Sequence, residues 1–186
     1  MKRVDLQPTL KGKLVELHPL RADDFDRLFA VASDPLIWEQ HPASDRYKED
    51  VFRAFFREAM DTGSAFIAID ATDGSVIGSS RYFGYDAEKS EIEIGWTFLA
   101  RSRWGGRYNR EMKDLMLRHA FSFVDRVVFL VGPKNLRSRR AVEKIGGVEA
   151  GTRVDANTGR ESVVYELTAK RFGKFFGPLS SDAPRR

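Results

Sequence analysis

The chain has 186 residues, 42% of them hydrophobic and 31% charged, with a formal net charge of +4 and a pI near 9.4. That length supports one well-buried core rather than two large domains, and the balance is that of an ordinary soluble globular protein. No cysteine is present, which excludes disulfides, thiolate metal sites and a cysteine nucleophile; His18, His41 and His119 are dispersed, so no metal site is expected.

The opening segment carries no apolar leader and no run is long enough to span a bilayer, from which a cytoplasmic location without membrane partners is expected. The basic excess favours an anionic partner. Lysine and arginine concentrate at 101–113 and 134–144, either around one polyanionic ligand held between two loops or simply on solvated faces.

Residues 1–12 read as an N-terminal extension. Alternation over 14–20 (LVELHPL) predicts a first strand. A helix follows from Ala22, with Asp23 or Asp24 at its cap and Phe25, Leu28, Phe29 and Ala32 on one side, and Asp34-Pro35 stops it. After an irregular stretch holding Trp38 and His41, Phe52, Phe55, Phe56 and Ala59 stripe a second helix over about 48–60. Three strands are predicted at 65–70, 76–85 and 91–98, joined by short polar turns that suit antiparallel hairpins. In the last of them Ile92, Ile94 and Trp96 should face one way and Glu91, Glu93, Gly95 and Thr97 the other.

A long helix is predicted after Tyr108, capped by Asn109 and striped by Met112, Leu115, Met116, Ala120 and Phe123. The continuous apolar run 127–131 predicts a strand buried on both faces, which completes a right-handed βαβ unit. A short helix over about 137–145 ends at Gly146-Gly147, and strands at 148–155 and 161–168 flank an Asn157-Thr-Gly turn. Phe172, Phe175 and Phe176 then look exposed, as a cover for a subunit contact such as a homodimer or as a helix packing back on the sheet. The polar end of the 171–186 segment is expected to be disordered.

The segment between the third hairpin strand and the long helix carries the chemistry. Arg101-Ser-Arg-Trp-Gly-Gly-Arg-Tyr sets glycine-freed amides beside Arg101, Arg103, Arg107 and Arg110, at the carboxyl end of a strand and the start of a helix. Orphan amides with guanidinium groups nearby suit a phosphate.

The order of elements, the EIGW strand, the WGG turn, the helix NREMKDLMLRHAF and the later NLRSRRAVEKIGG resemble the GNAT superfamily of N-acetyltransferases, most closely its RimJ/RimL-like ribosomal-protein-alanine branch. The resemblance implies a single α/β (α+β) domain over 13–170. Its mixed, mostly antiparallel twisted sheet would have about six to seven strands, with helices on both faces and a central βαβ unit splayed to hold acyl-CoA. It implies an acetyl group moved from acetyl-CoA to a primary amine by direct attack on the thioester, with no metal. Arg103, Trp104, Gly105, Gly106, Arg107, Tyr108 and Asn109 would surround the pyrophosphate, with the backbone near Trp96, Phe98 and Leu99 along the pantetheine. Asn135, Ser138 and Arg140 would contact the cofactor from the second loop. Two departures stand out: Arg107 breaks the usual glycine spacing of the turn, and Val142 stands where many relatives have a tyrosine acid.

Amine attack on a thioester needs a base to free the lone pair and benefits from a donor to the leaving thiolate. Glu93 is the base candidate with Glu91 as alternative, and Ser138 is the candidate hydroxyl. Asn135 and Ser138 also make a good helix-capping pair. The acceptor, a protein N-terminus or a small-molecule amine, would be lined by Trp38, Tyr82 and Phe83, with Glu39 and His41 nearby, unless Trp38 and Phe83 simply fill the core. Two other classes stand open: an acyl-CoA-binding protein without catalysis, and a basic nucleic-acid or ribosome-binding module.

Overall fold

A computed structural model describes residues 4–154 and 159–179. The chain runs β1 (Leu10–Lys11), β2 (Val15–Pro19), α1 (Phe25–Ala32), α2 (Glu49–Asp61), β3 (Ala65–Asp70), β4 (Val76–Asp86), β5 (Glu91–Leu99), α3 (Arg107–Ala120), β6 (Arg126–Val131), α4 (Leu136–Lys144), β7 (Val148–Val154), β8 (Glu161–Thr168) and α5 (Ala169–Phe176). Short 3-10 turns at Ala22–Asp24, Pro35–Ile37 and Arg101–Arg103 break the connections. The eight strands form one sheet in the order β1-β2-β3-β4-β5-β6-β8-β7, antiparallel at every junction except β5 with β6. The strand beyond the expected seven is β1, which lies in the N-terminal extension and pairs with β2.

Two apolar clusters fill the two faces. Under α3 and α5 lie Phe66, Tyr82, Ile92, Ile94, Met112, Met116, Phe129, Tyr165 and Phe172. Under α1 and α2 lie Leu28, Trp38, Phe52, Phe55, Phe56, Ile67 and Phe98. In the second cluster Phe52 meets Phe25, Phe29, Phe55, Phe56 and Phe98 at centroid separations of 5.5–6.5 Å, the range in which aromatic pairs attract beyond the area they bury.

Three local readings are corrected. The long helix starts at Arg107, not after Tyr108, because Gly105 and Gly106 both sit at φ 102° and turn the chain so that Gly106 is the last residue before the helix; Asn109 is inside the first turn, and Phe123 lies beyond the end. Phe172 is fully buried, since α5 folds back and stacks Phe176 on it at 4.9 Å.

The third correction concerns β5. Trp96 takes φ 51°, and the β4–β5 register slips between Ser79 and Arg81, an extra-residue bulge. Ile92 and Ile94 therefore face α3, whereas Trp96 and Phe98 turn to the α1/α2 side. The Asn157-Thr turn and the 180–186 tail lie outside the described residues.

Candidate active site

The βαβ unit opens where its strands part. β5 and β6 pair in parallel only over Glu91–Glu93 with Arg126–Val128, although β5 continues to Leu99 and β6 to Val131. Beyond that crotch β5 stays paired with β4 and β6 with β8. The chain then turns from β5 into α3, and from β6 into α4, so both helix starts stand at the mouth.

At the first helix start the amide inventory is informative. The N–H groups of Arg103 and Trp104 are spent on the carbonyls of Ala100 and Arg101, at 2.9 and 3.1 Å, and the first bond into α3 runs from Arg110 N–H to Gly106 C=O at 2.8 Å. Those of Gly105, Gly106, Arg107, Tyr108 and Asn109 donate to no carbonyl among the described residues. Successive unmet amides at a helix N-terminus form an anion site.

The guanidinium groups divide. Arg103 pairs through Nε with the buried Asp70 at 2.8 Å and lies over the Tyr108 ring. The Thr72 hydroxyl bond leads the effects that hold the Asp70 carboxyl down at about 2, with help from Tyr108 and Arg103. Arg101 is bound by Asp34, and Arg110 by the Phe175 carbonyl. Arg107 is exposed and has no ion pair among the described residues, so it is the arginine left for an added anion. Trp104 donates its indole N–H to Leu99 C=O at 2.9 Å and carries the Arg137 guanidinium on its face at 4.1 Å.

At the second helix start Asn135 is buried and caps α4 by accepting the Ser138 N–H at 3.2 Å. Ser138 is half-buried and Arg140 exposed one turn along. Val142 is in the core.

Glu93 is the last β5 residue paired to β6, on the α1/α2 side of the crotch beside Arg81 and Phe83, which stand opposite Gly95 and Glu93 on β4. Gly95 leaves room for its carboxylate: a Cβ there would lie 3.1 Å from Glu93 Oε1. Burial raises the Glu93 carboxyl to about 7, against the opposing pull of Arg153 and Arg81. Glu91 is bound to Arg126 at 2.7 Å, so of the two glutamates Glu93 is the one without an ion pair among the described residues.

Around Glu93 the α1/α2 face is walled by aromatic rings and cations. Arg81 is sandwiched between Trp96, at 4.5 Å, and Phe55, at 5.2 Å; its Nη1 reaches Glu58 at 3.3 Å. Its Nη2 is buried with no hydrogen-bond partner among the described residues. Arg46 lies over Phe55 at 4.4 Å and 3.2 Å from His41 Nε2, and burial holds His41 neutral, down at about 3. Phe83 is half exposed and edge-on to Trp96 at 5.2 Å. Trp38 is buried, its indole N–H held by Ala32 C=O at 2.7 Å. Tyr82 is not brought here: it faces α3 and gives its hydroxyl proton to Met116 C=O at 2.6 Å.

Sequence reasoning missed three residues: Arg46, Arg81 and Lys113. The last carried a signal, a lysine in register with Met116, Leu117 and Ala120 on the apolar stripe of α3. Among the described residues no group of acids and histidines could hold a metal, and no helix is long and apolar enough to cross a membrane.

The comparisons bear on this geometry. A structure of a GCN5-related N-acetyltransferase from Brucella melitensis superposes with a TM-score of 0.74 at 23% identity, over 89% of this chain and 80% of that one. A GNAT-family acetyltransferase from Bacillus anthracis gives 0.70 at 21%, over 87% and 98%. Mycobacterium smegmatis RimJ, solved with CoA-disulfide, gives 0.66 at 19%, over 88% and 87%. At such identities these likenesses establish the fold. A search of curated protein sequences finds no match. The model of the acetyltransferase (GNAT) domain matches residues 15–148, which runs from β2 through the parted strands and both helix starts to the beginning of β7. That span is most of the chain and contains the whole opening, and the protein therefore belongs to the GNAT acetyltransferase family.

Proposed function

We propose that the protein is an acetyl-CoA-dependent N-acetyltransferase that moves an acetyl group to a primary amine by direct attack on the thioester, in the RimJ/RimL-like branch. The observation that carries this reading is the run of unmet amides from Gly105 to Asn109, with Arg107 beside it, at the mouth of a sheet whose central strands part. These residues fit the diphosphate of CoA; the parted backbone from Trp96 to Leu99 fits its extended arm, and Asn135, Ser138 and Arg140 flank it from α4.

The acyl donor supplies an activated acyl group, and the chain supplies position and proton control. Holding two reactants in line lowers a barrier by roughly 7–11 kcal/mol. Glu93 is the general base: with its carboxyl near 7, a substantial fraction is carboxylate at neutral pH and can relieve an ammonium of its proton. The amine enters from the α1/α2 side, past Phe83, Trp96 and Arg81.

A thermal-shift experiment with acetyl-CoA, CoA and NAD tests the reading. Ligand at 100 times its dissociation constant adds about 2.7 kcal/mol, so the first two should raise the melting temperature and NAD should not. Equal melting temperatures with and without CoA would remove the assignment. A panel of peptide N-termini, amino acids and polyamines, followed by release of free thiol, then selects the acceptor.

A further inference from the structure

Lys113 is nearly fully buried on α3. Its Nζ donates to Thr97 Oγ1 at 2.5 Å and to Ser80 Oγ at 3.3 Å, two hydroxyls themselves 2.8 Å apart, and lies 5.9 Å from the Phe129 ring centroid. Thr97 is on β5 beyond its last pairing with β6, and Phe129 is the first β6 residue past the crotch. The amine thus lies on the α3 face of the sheet, held by hydroxyls of β4 and β5 and near the Phe129 ring of β6, on the side opposite Glu93.

No carboxylate meets it among the described residues. On α3, Glu111 accepts the N–H groups of Lys13, Leu14 and Val15, Asp114 pairs with Arg118, and Arg110 is bound to Phe175. On the strands, Glu91 pairs with Arg126, Arg81 and Glu93 face the other side, and the Tyr82 hydroxyl is held by Met116. A buried ammonium without a counter-ion is costly. Burial alone pulls Lys113 down to about 7.

We propose that Lys113 is the proton donor to the CoA thiolate as it leaves, acting from the α3 side of the gap. This rests on the acyl-transfer reading. The acceptor nitrogen forms its bond to the acyl carbon, the carbon–sulfur bond breaks, and that electron pair stays on sulfur. An Nζ proton passes to sulfur, giving the thiol; Glu93, having already handed the ammonium's first proton on to solvent, takes the second proton that the nitrogen sheds as the amide forms. The amine and thioester become amide and thiol, and solvent restores the two side chains when products leave. The hydroxyls of Ser80 and Thr97 suit this part, since they accept from the ammonium and turn to donate to the neutral amine, whereas a carboxylate would hold the proton in place.

The test uses the whole chain with Lys113→Met and Lys113→Gln, the second in case the first does not fold. CoA affinity is read by calorimetry, and the titration of the bound thiol by its thiolate absorbance in the ultraviolet. Removing a cation should raise the thiol's pKa by about 1–3 units. Turnover should fall about 10²-fold, with little change in the KM for acetyl-CoA and with loss of the high-pH limb of the rate profile. Unmoved thiol titration and unmoved pH profile in a variant that binds CoA normally would overturn the proposal alone. Absence of CoA binding in the unaltered protein would overturn the acyl-transfer reading beneath it.

Discussion

Glu93, the base we propose, carries a stability cost of its own. Its carboxyl sits near 7 in the folded chain, against an ordinary value of about 4.3 in the unfolded one. Between those values the unfolded state holds fewer protons than the folded state, so the fold loses stability as pH rises from about 4 to 7. Glu93→Gln removes that loss. Melting curves should show the variant matching the parent at acid pH and exceeding it at pH 8, while acetyl transfer drops about 10²- to 10⁴-fold with CoA affinity intact. Unchanged turnover would take Glu93 out of the mechanism. This residue was legible because a glutamate on the polar side of an alternating strand draws notice. Arg81 was not, because an arginine enclosed by Trp96 and Phe55 depends on rings from α2 and β5 that local pattern does not place together.

Among the elements, the turn into α3 carries the sharpest expectation. Arg107→Glu should weaken CoA binding and reduce its salt dependence, since an exposed cation beside unmet amides acts through a screened field; calorimetry at two ionic strengths reads this, and equal affinity would exclude the side chain. The adjoining β4–β5 pair tolerates no added atom at Gly78, where a Cβ would stand 2.0 Å from the Phe98 carbonyl oxygen. Because that neighbour is backbone, Gly78→Ala should cost about 1–3 kcal/mol, measured by denaturant titration. Strands β2 to β8 were readable from alternation and turn residues to within a residue or two. The bulge at Trp96 was not, since an inserted residue changes which face each later side chain takes without changing composition. The start of α3 was misplaced for a related reason: Asn109 has the chemistry of a cap, but the paired left-handed glycines end the turn earlier.

Across the whole molecule, the β1–β2 connection and the segment following α5 are both fastened to α3. Glu111 accepts three amides of the β1–β2 turn, at 2.6–3.0 Å. Arg118 donates to the carbonyls of Phe176 and Pro178, at 2.7 and 3.0 Å, which pins α5 over the first apolar cluster. Phe172→Ala should therefore cost about 3–5 kcal/mol, seen as a lower unfolding midpoint; a change within a few tenths would mean that α5 is dispensable. The order of elements and the family were legible from the sequence. β1 was not, because two residues offer no periodicity; for Phe172 the sequence left a subunit contact and a helix packing back both open, and α5 returning to Phe121 is the second of these.

The early parting of β5 from β6 has a further consequence for exchange with solvent. An incomplete seam through the middle of a sheet leaves peptide groups along 94–99 and 129–131 that have no partner across it, and a bound extended molecule would act as a surrogate strand there. Deuterium uptake across those two segments should slow when CoA is added, while the continuous β6–β8 seam keeps its own rate, so the gap itself becomes the reporter of occupancy.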